Sequence, residues 1–275
     1  MGRIQKKDLN KDQIVLDLLM AGPLAWALIR VQEIYFLASV PFKHPVLDLA
    51  CGDGSFAGIL LKHQGFDSYD VGTDIDRKEL DKAKISGSYK SAILADASHL
   101  PFKDNTFKTI FSNGSVEHFS NFEVCISEIH RVLAKDGICY LTVPSNEIGR
   151  YLLFSRICRF LRLGILADAY EYFFNTLFKH KNLHSHSEWK KILLRNKLTL
   201  EDYFYYNFDP VVPGHDVLLW INSWNFLVKK ITGNWFLSLN LRKLTAPIEK
   251  LLVERLINLS SSKESGPSLF LVIKK

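Results

Sequence analysis

The chain predicts an α/β fold built on a doubly wound, mostly parallel sheet. Three observations carry that expectation. Short apolar runs alternate with helically patterned stretches five times between Val46 and Pro144, the arrangement that places helices on both faces of a parallel sheet. Polar residues close four of those runs or follow them directly: Asp48, Asp74, Asp96 and Asn113. Ligands on such sheets bind at the carboxyl ends of the strands. A glycine-rich turn, Gly52-Asp53-Gly54, follows the first run.

Residues 8–40 read as one or two helices, with Pro23 as a break or a helix start. Val46 to Leu49 is the first strand, in the continuous apolar style of a buried parallel strand. Phe56 to His63 is helical in spacing, Tyr69 to Thr73 a strand, Lys78 to Lys84 a helix, and Ser91 to Leu94 a strand. Thr109 to Ser112 is the fourth strand. Glu123 to Leu133 is an amphipathic helix, Asp136-Gly137 a turn, and Ile138 to Val143 the fifth strand, closed by Pro144. Beyond Ser145 the pattern changes. Residues 150–180 are aromatic and basic at helical spacing. Ser187 to Asn196 reads as a helix with Ser187 as cap and Glu188 in its first turn. Leu200 to Tyr206 is a strand, 215–259 helical and apolar, Ser260 to Pro267 a loop, and Leu269 to Ile273 a last strand. The two late strands complete a seven-stranded sheet and two insertions form a helical cap. The expected division is an N-terminal helical lid (1–44), a ligand-binding core (45–145), and the rest of the sheet with its cap insertions (146–275).

The 275 residues suit one large domain with elaborations. Hydrophobic residues at 47% supply a core, and 23% charged residues argue against global disorder. The net charge of +6 is uneven: from Ser145 onward 19 Lys and Arg face 11 Asp and Glu, a local +8, leaving −2 before it. A basic half suits a membrane surface, a nucleic acid or a charged substrate, or is an ordinary solvated surface. Cys51, Cys125, Cys139 and Cys158 form no C-x-x-C pair and read as small hydrophobes in a reducing compartment. The apolar stretch Ile14 to Val40 is broken by Asp17, Pro23, Arg30, Gln32 and Glu33, so it is a poor signal peptide and a poor membrane span. The expectation is a cytoplasmic protein, soluble or peripheral to a membrane.

The turn Gly52-x-Gly54-x-x-Ala57 fits nucleotide binding in general, because glycines allow close backbone approach and a helix N-terminus favours an anion. Asp48 narrows it. A carboxylate at the strand end repels a pyrophosphate and attracts a cationic amino group. S-adenosylmethionine carries both an ammonium and a sulfonium. Asp74 stands where an acidic residue accepts ribose hydroxyls. Asp96 could accept from an adenine amino group, under apolar cover from Leu100 and Phe102.

Asp48-x-x-x-Gly52-x-Gly54, Val71-Gly72-Thr73-Asp74, Ala95-Asp96-Ala97 with Leu100-Pro101-Phe102, Asp104-Asn105-Thr106-Phe107, and Glu128 to Leu133 with Asp136-Gly137 together resemble the class I S-adenosylmethionine-dependent methyltransferases of the type 11 group. The resemblance runs from about Val46 to Ser145. It implies a Rossmann-like seven-stranded sheet whose last strand is antiparallel. It implies S-adenosylmethionine as cofactor and a pocket lined by Asp48, Gly52, Gly54, Asp74, Asp96 and Ala97. Their neighbours Ala50, Cys51, Asp53, Ile75, Asn113 and Gly114 join that expected set. Ser55 stands where many members have a third glycine, and Lys108 where Asp is frequent.

In that family the stretch Ser112 to Phe119 borders the reacting methyl group. His118 is the candidate general base, since its unperturbed pKa near 6.5 suits proton abstraction at neutral pH. The competing reading is that Glu117 and His118 only line the pocket. Glu117, His184 and His186 are candidate substrate contacts, and His184-x-His186 lacks the further ligands a metal would need. In the cap, Arg156, Arg159 and Arg162 recur at i+3 among apolar residues. Trp220, Trp224, Leu227 and Val228 precede Lys229-Lys230, and Trp235, Phe236, Leu239 and Leu241 continue the theme. Basic residues beside Trp and Leu suit peripheral membrane contact, although core packing or dimerisation also accounts for them. Nucleic acid is disfavoured, because the aromatics fall at helical spacing. The expected activity is methyl transfer to a small-molecule or lipid-like acceptor. The alternatives are an NAD-dependent oxidoreductase, which predicts an apolar or small residue at position 48, and a non-catalytic membrane-associated binding protein on the same fold.

Overall fold

A computed structural model describes residues 9–275 except 222, 234, 237 and 258, and leaves aside the side chains of 221, 226, 239 and 241. Residues 1–8 of the expected lid and the side chains of Leu239 and Leu241 therefore lie outside the described residues.

Two helices open the chain, α1 (Lys11–Ala21) and α2 (Leu24–Ala38), with Pro23 capping the second. The alternating core follows: β1 (Val46–Leu49), α3 (Ser55–Gln64), β2 (Tyr69–Asp74), α4 (Arg77–Ile85), β3 (Tyr89–Leu94), β4 (Phe107–Asn113), α5 (Phe122–Val132) and β5 (Leu133–Pro144). The first insertion holds α6 (Ile148–Tyr151), α7 (Leu153–Phe160), α8 (Gly164–Leu177) and α9 (His186–Arg195), then β6 (Thr199–Tyr206). The second holds α10 (Val211–Ile221), α11 (Ser223–Thr232) and α12 (Leu239–Leu256), then β7 (Ser268–Lys274).

The seven strands form one sheet in the order β3-β2-β1-β4-β5-β7-β6. β1 to β5 pair in parallel, and β7 runs antiparallel to both β5 and β6. The doubly wound seven-stranded sheet with helical insertions is thus the observed fold. One face carries α1, α2 and α3 over Phe111, Tyr140 and Phe270. The other carries α5 and α9 over Leu47, Ile110, Leu141 and Leu271.

Two local expectations are corrected. Asp136-Gly137 is not a turn between a helix and a strand: β5 starts at Leu133, directly after α5. The residues before Ile138 form an irregularity against β4, where partners jump from Phe107↔Leu133 to Thr109↔Ile138. A side chain at Gly137 would come within 2.9 Å of the Ala134 carbonyl, so a glycine there lets the strand bulge. The cap of α9 is Ser185, not Ser187. Its hydroxyl accepts from the Glu188 amide, and the Glu188 carboxylate accepts from the Ser185 amide at 2.8 Å, a full capping box.

Candidate active site

At the end of β1 the chain enters a tight loop through left-handed Ala50, Gly52 and Gly54 (φ 62, 57 and 77°). Gly54 is also forced by space, since a Cβ there would lie 2.8 Å from the Ser86 hydroxyl. Two backbone amides fix Asp74 at the end of β2: Gly52 N donates to Oδ2 at 2.7 Å, and Asp76 N to Oδ1 at 2.8 Å. The carboxylate therefore ties the glycine loop to the neighbouring strand end and is held in one orientation.

Above these strand ends lies a cavity of about 390 Å³. Of the expected cofactor residues, Ala50, Gly52, Asp74, Ile75, Asp96 and Ala97 line it. Asp96 Oδ1 accepts from the Ser98 amide and hydroxyl at 2.8 Å each, which holds its carboxyl below the usual range. Phe119 and Leu49 add apolar wall, and none of the described lining residues is Lys or Arg. A pyrophosphate would meet two carboxylates and no cation here. A nucleoside with free hydroxyls and an amino group would find acceptors for both.

Asp48 sits beneath the loop and does not line the cavity. Its Oδ2 accepts from the Tyr89 hydroxyl at 2.6 Å. Burial pushes its pKa up to about 7; the Tyr89 hydrogen bond opposes this and the nearby Asp74 charge adds to it. A Cβ on Gly72 would touch the Tyr89 ring at 2.9 Å, so that glycine makes room for the ring covering Asp48. Cys51 packs against Leu80 and Ala83. Asp53 and Gly54 line the loop's outer side, where Asp53 Oδ1 accepts from Ser55 N at 3.0 Å. Asn113 Oδ1 accepts from the Thr142 hydroxyl at 2.5 Å, and Gly114 faces a different space.

That space is a second cavity of about 180 Å³ under the cap. Trp26, Ile29, Phe174, Phe178 and Leu219 give it an apolar wall from α2, α8 and α10. Its polar members are buried. Arg30 Nη1 pairs with Glu33 at 2.6 Å, and the Tyr206 hydroxyl donates to Glu33 at 3.2 Å. Glu117 is pushed up to about 8, mainly by burial, and its Oε2 has no hydrogen-bond partner. Burial likewise lowers His180 and His215 to about 4, so both imidazoles are neutral.

His118 lines both cavities. It ends a single 3₁₀ turn, Val116–His118, placed by β4. Its Nδ1 lies 3.2 Å from the Lys179 carbonyl oxygen. A carbonyl only accepts, so Nδ1 carries the proton and Nε2 keeps its lone pair. Nε2 lies 3.7 Å from Glu117 Oε1. Burial lowers the His118 pKa despite that carbonyl, and the Arg30 charge adds to the lowering, so the ring is neutral at neutral pH. The ring stacks on His180 at 5.7 Å.

His184 and His186 line neither cavity. His184 packs on Phe122 and Trp189, and His186 stacks on Tyr203 at 4.4 Å. Among the described residues no group of three His, Cys, Asp or Glu is placed to hold a metal. No described helix is long and apolar enough to cross a membrane. Sequence reasoning missed Arg30, Glu33, His180, Asn207 and His215. A signal existed for the first two: they are charges inside an otherwise apolar helix, and they are buried with Gln32 rather than solvated.

Comparison with known proteins agrees with this geometry. Residues 47–141 match the family model of a methyltransferase domain. Over 148 residues the chain is 30% identical to a demethylmenaquinone methyltransferase of Lactobacillus johnsonii, covering 48% of this chain and 60% of that protein. The chain thus spans less than two thirds of that relative. A SAM-dependent methyltransferase of Thermotoga maritima superposes with a TM-score of 0.56 at 13% identity, covering 90% of this chain and 89% of that one. A phosphoethanolamine N-methyltransferase of Haemonchus contortus, solved with S-adenosyl-L-methionine, gives 0.52 at 15% identity, covering 86% and 49%. At such identities the structural likeness establishes the fold.

Proposed function

We propose, from the premise that residues 47–141 are a methyltransferase domain on the class I fold, that this chain is an S-adenosylmethionine-dependent methyltransferase acting on a small-molecule or lipid-like acceptor. The observation that carries the proposal is that His118, neutral and with Nε2 unprotonated, borders both cavities. The cofactor, bound in the first cavity, supplies an electrophilic methyl group on a sulfonium.

The chain's own residues supply the rest. Asp74, fixed by the Gly52 and Asp76 amides, accepts from the ribose hydroxyls, and Asp96 accepts from the adenine amino group. Asp48 places negative charge below the loop, which a cationic ligand favours. The second cavity holds the acceptor between aromatic walls and excludes water, so that alignment of the two reactants lowers the barrier. His118 Nε2 takes the proton that the acceptor releases. Glu117 Oε1 beside it orients the ring, and Arg30 supplies positive charge near a developing oxyanion. The apolar walls and the name of the Lactobacillus relative both favour a lipid-like acceptor over a charged one.

The test follows label from methyl-labelled S-adenosylmethionine into an extract of small molecules and lipids. Transfer by the wild type that disappears in His118→Ala is expected. Cofactor binding with no transfer to any fraction would instead favour a binding protein on the same fold.

A further inference from the structure

The cap carries an unpartnered apolar surface whose position is informative. α7 and α8 form a helical hairpin joined by residues 161–163. At its tip Phe160 is 86% and Ile165 87% exposed, and Leu161, Leu163 and Leu166 are also exposed. Beside the tip, Phe154, Ile157, Phe173, Val217 and Trp220 line an open apolar groove. The groove's one carboxylate, Asp216, is consumed inward by the Phe154 amide and the Tyr170 hydroxyl. Trp220 stacks on Phe173 and donates its indole N–H to Tyr170, a polar-tipped aromatic pair of the kind that sits at a membrane–water boundary.

Charge decides among occupants. Residues 151–181 hold five Lys and Arg against two acids. Both acids, Asp168 and Glu171, are paired with Arg159. Arg156 is paired with Asp209, while Arg162 in the turn makes no ion pair among the described residues. The surface is therefore apolar with an uncompensated positive rim. A second copy of the chain would bring the same positive rim against it. A bilayer carrying anionic headgroups accepts the apolar side chains and neutralises the rim.

We propose that the α7–α8 hairpin docks this protein on the interface of an anionic lipid bilayer, with Phe160 and Ile165 entering the headgroup–acyl boundary. The docking stands independently of the catalytic reading. If that reading holds, it also brings the acceptor cavity close to the lipid: α8 presents Phe173 to the groove and Phe174 to the cavity, and α10 presents Trp220 to the groove and Leu219 to the cavity. One helix diameter, about 10 Å, separates the two faces.

The experiment is co-sedimentation with phosphatidylcholine vesicles, with and without phosphatidylglycerol, at low and high salt. The wild type is expected to sediment with the anionic vesicles and to be released by salt. Phe160→Ser with Ile165→Ser is expected to reduce binding by about tenfold or more. Arg162→Asn, which tolerates the left-handed turn, is expected to weaken binding to anionic vesicles only. Since all four native cysteines are buried, Ile165→Cys carrying an environment-sensitive dye reports insertion directly. A blue shift is expected with anionic vesicles. No sedimentation of the wild type, equal sedimentation of the double variant, or an unshifted dye would each overturn the proposal. So would light scattering that finds a dimer which the double variant dissolves, with no vesicle binding.

Discussion

The Nδ1 of His118 lies 3.2 Å from the carbonyl oxygen of Lys179, a residue that follows α8 at the far end of the cap hairpin. That contact fixes the tautomer of the ring at the junction of the two cavities, so the cap orients the proposed base. His118→Ala is expected to lower kcat by about 10²–10⁴-fold while leaving S-adenosylmethionine affinity nearly unchanged. The rate should depend on the unprotonated ring. Burial lowers its pKa, so activity should hold as the pH falls to the ordinary histidine value and decline only below it. A pH–rate profile checks this; an acid limb centred above 6.5 would contradict it.

Asp48 and Glu117 predict the pH dependence of stability. Their pKa values are raised to about 7 and about 8 in the folded chain. A raised acid binds more protons folded than unfolded, so its stabilising contribution is complete below the unfolded value and is lost as pH rises through the folded one. The ligand-free protein should therefore lose stability between about pH 4 and pH 8. Asp48→Asn should recover part of that loss at pH 8 and none at pH 4, read as a Tm gain of roughly 2–4 °C per kcal/mol. If Asp48 serves a cationic ligand, wild-type affinity for S-adenosylmethionine should fall below about pH 7, and Asp48→Asn should bind weakly at every pH.

Gly114 separates the roles of the two cavities. It adopts φ +55°, and a Cβ on it would lie 2.6 Å from Arg30 Nη1. Gly114→Ala should displace the guanidinium from the acceptor cavity, and the left-handed backbone adds about 1 kcal/mol of strain. Steady-state kinetics should show a raised KM for the acceptor with cofactor affinity retained. A loss confined to cofactor binding would return Gly114 to the first cavity.

The capping box of α9 can be tested apart from function. Ser185→Ala should destabilise the protein by about 1 kcal/mol, whereas Ser187→Ala should change it little. Thermal unfolding of both variants, with cofactor titration as a control, reads the difference.

The strands and the loop were legible because their signals are local. Val46–Leu49 is a short apolar run bounded by Pro45 and a glycine turn, and Asp74 and Asp96 stand at strand ends, where chain direction alone places them over the cavity. The second cavity was not legible, because it is assembled from α2, the 3₁₀ turn, α8 and α10, segments far apart in sequence. Arg30 and Glu33 counted in the sequence as interruptions of an apolar stretch, yet they are a buried pair facing Glu117. The role of Asp48 was also mistaken in its detail. Its spacing suggested direct contact with a ligand, but the Tyr89 ring, admitted by Gly72, covers it. Ser187 lost the cap of α9 to Ser185 because the capping box needs its serine three residues before Glu188.

The central claim is that the first cavity takes a phosphate-free cationic nucleoside. Calorimetric titration with S-adenosylmethionine, its demethylated product and NAD, on the wild type and on Asp74→Ala, tests it most directly. The wild type should bind the first two and not NAD. Asp74→Ala should weaken binding by about 10–100-fold, through loss of charged hydrogen bonds and of the anchor for Gly52 N. NAD binding without S-adenosylmethionine binding would contradict the account.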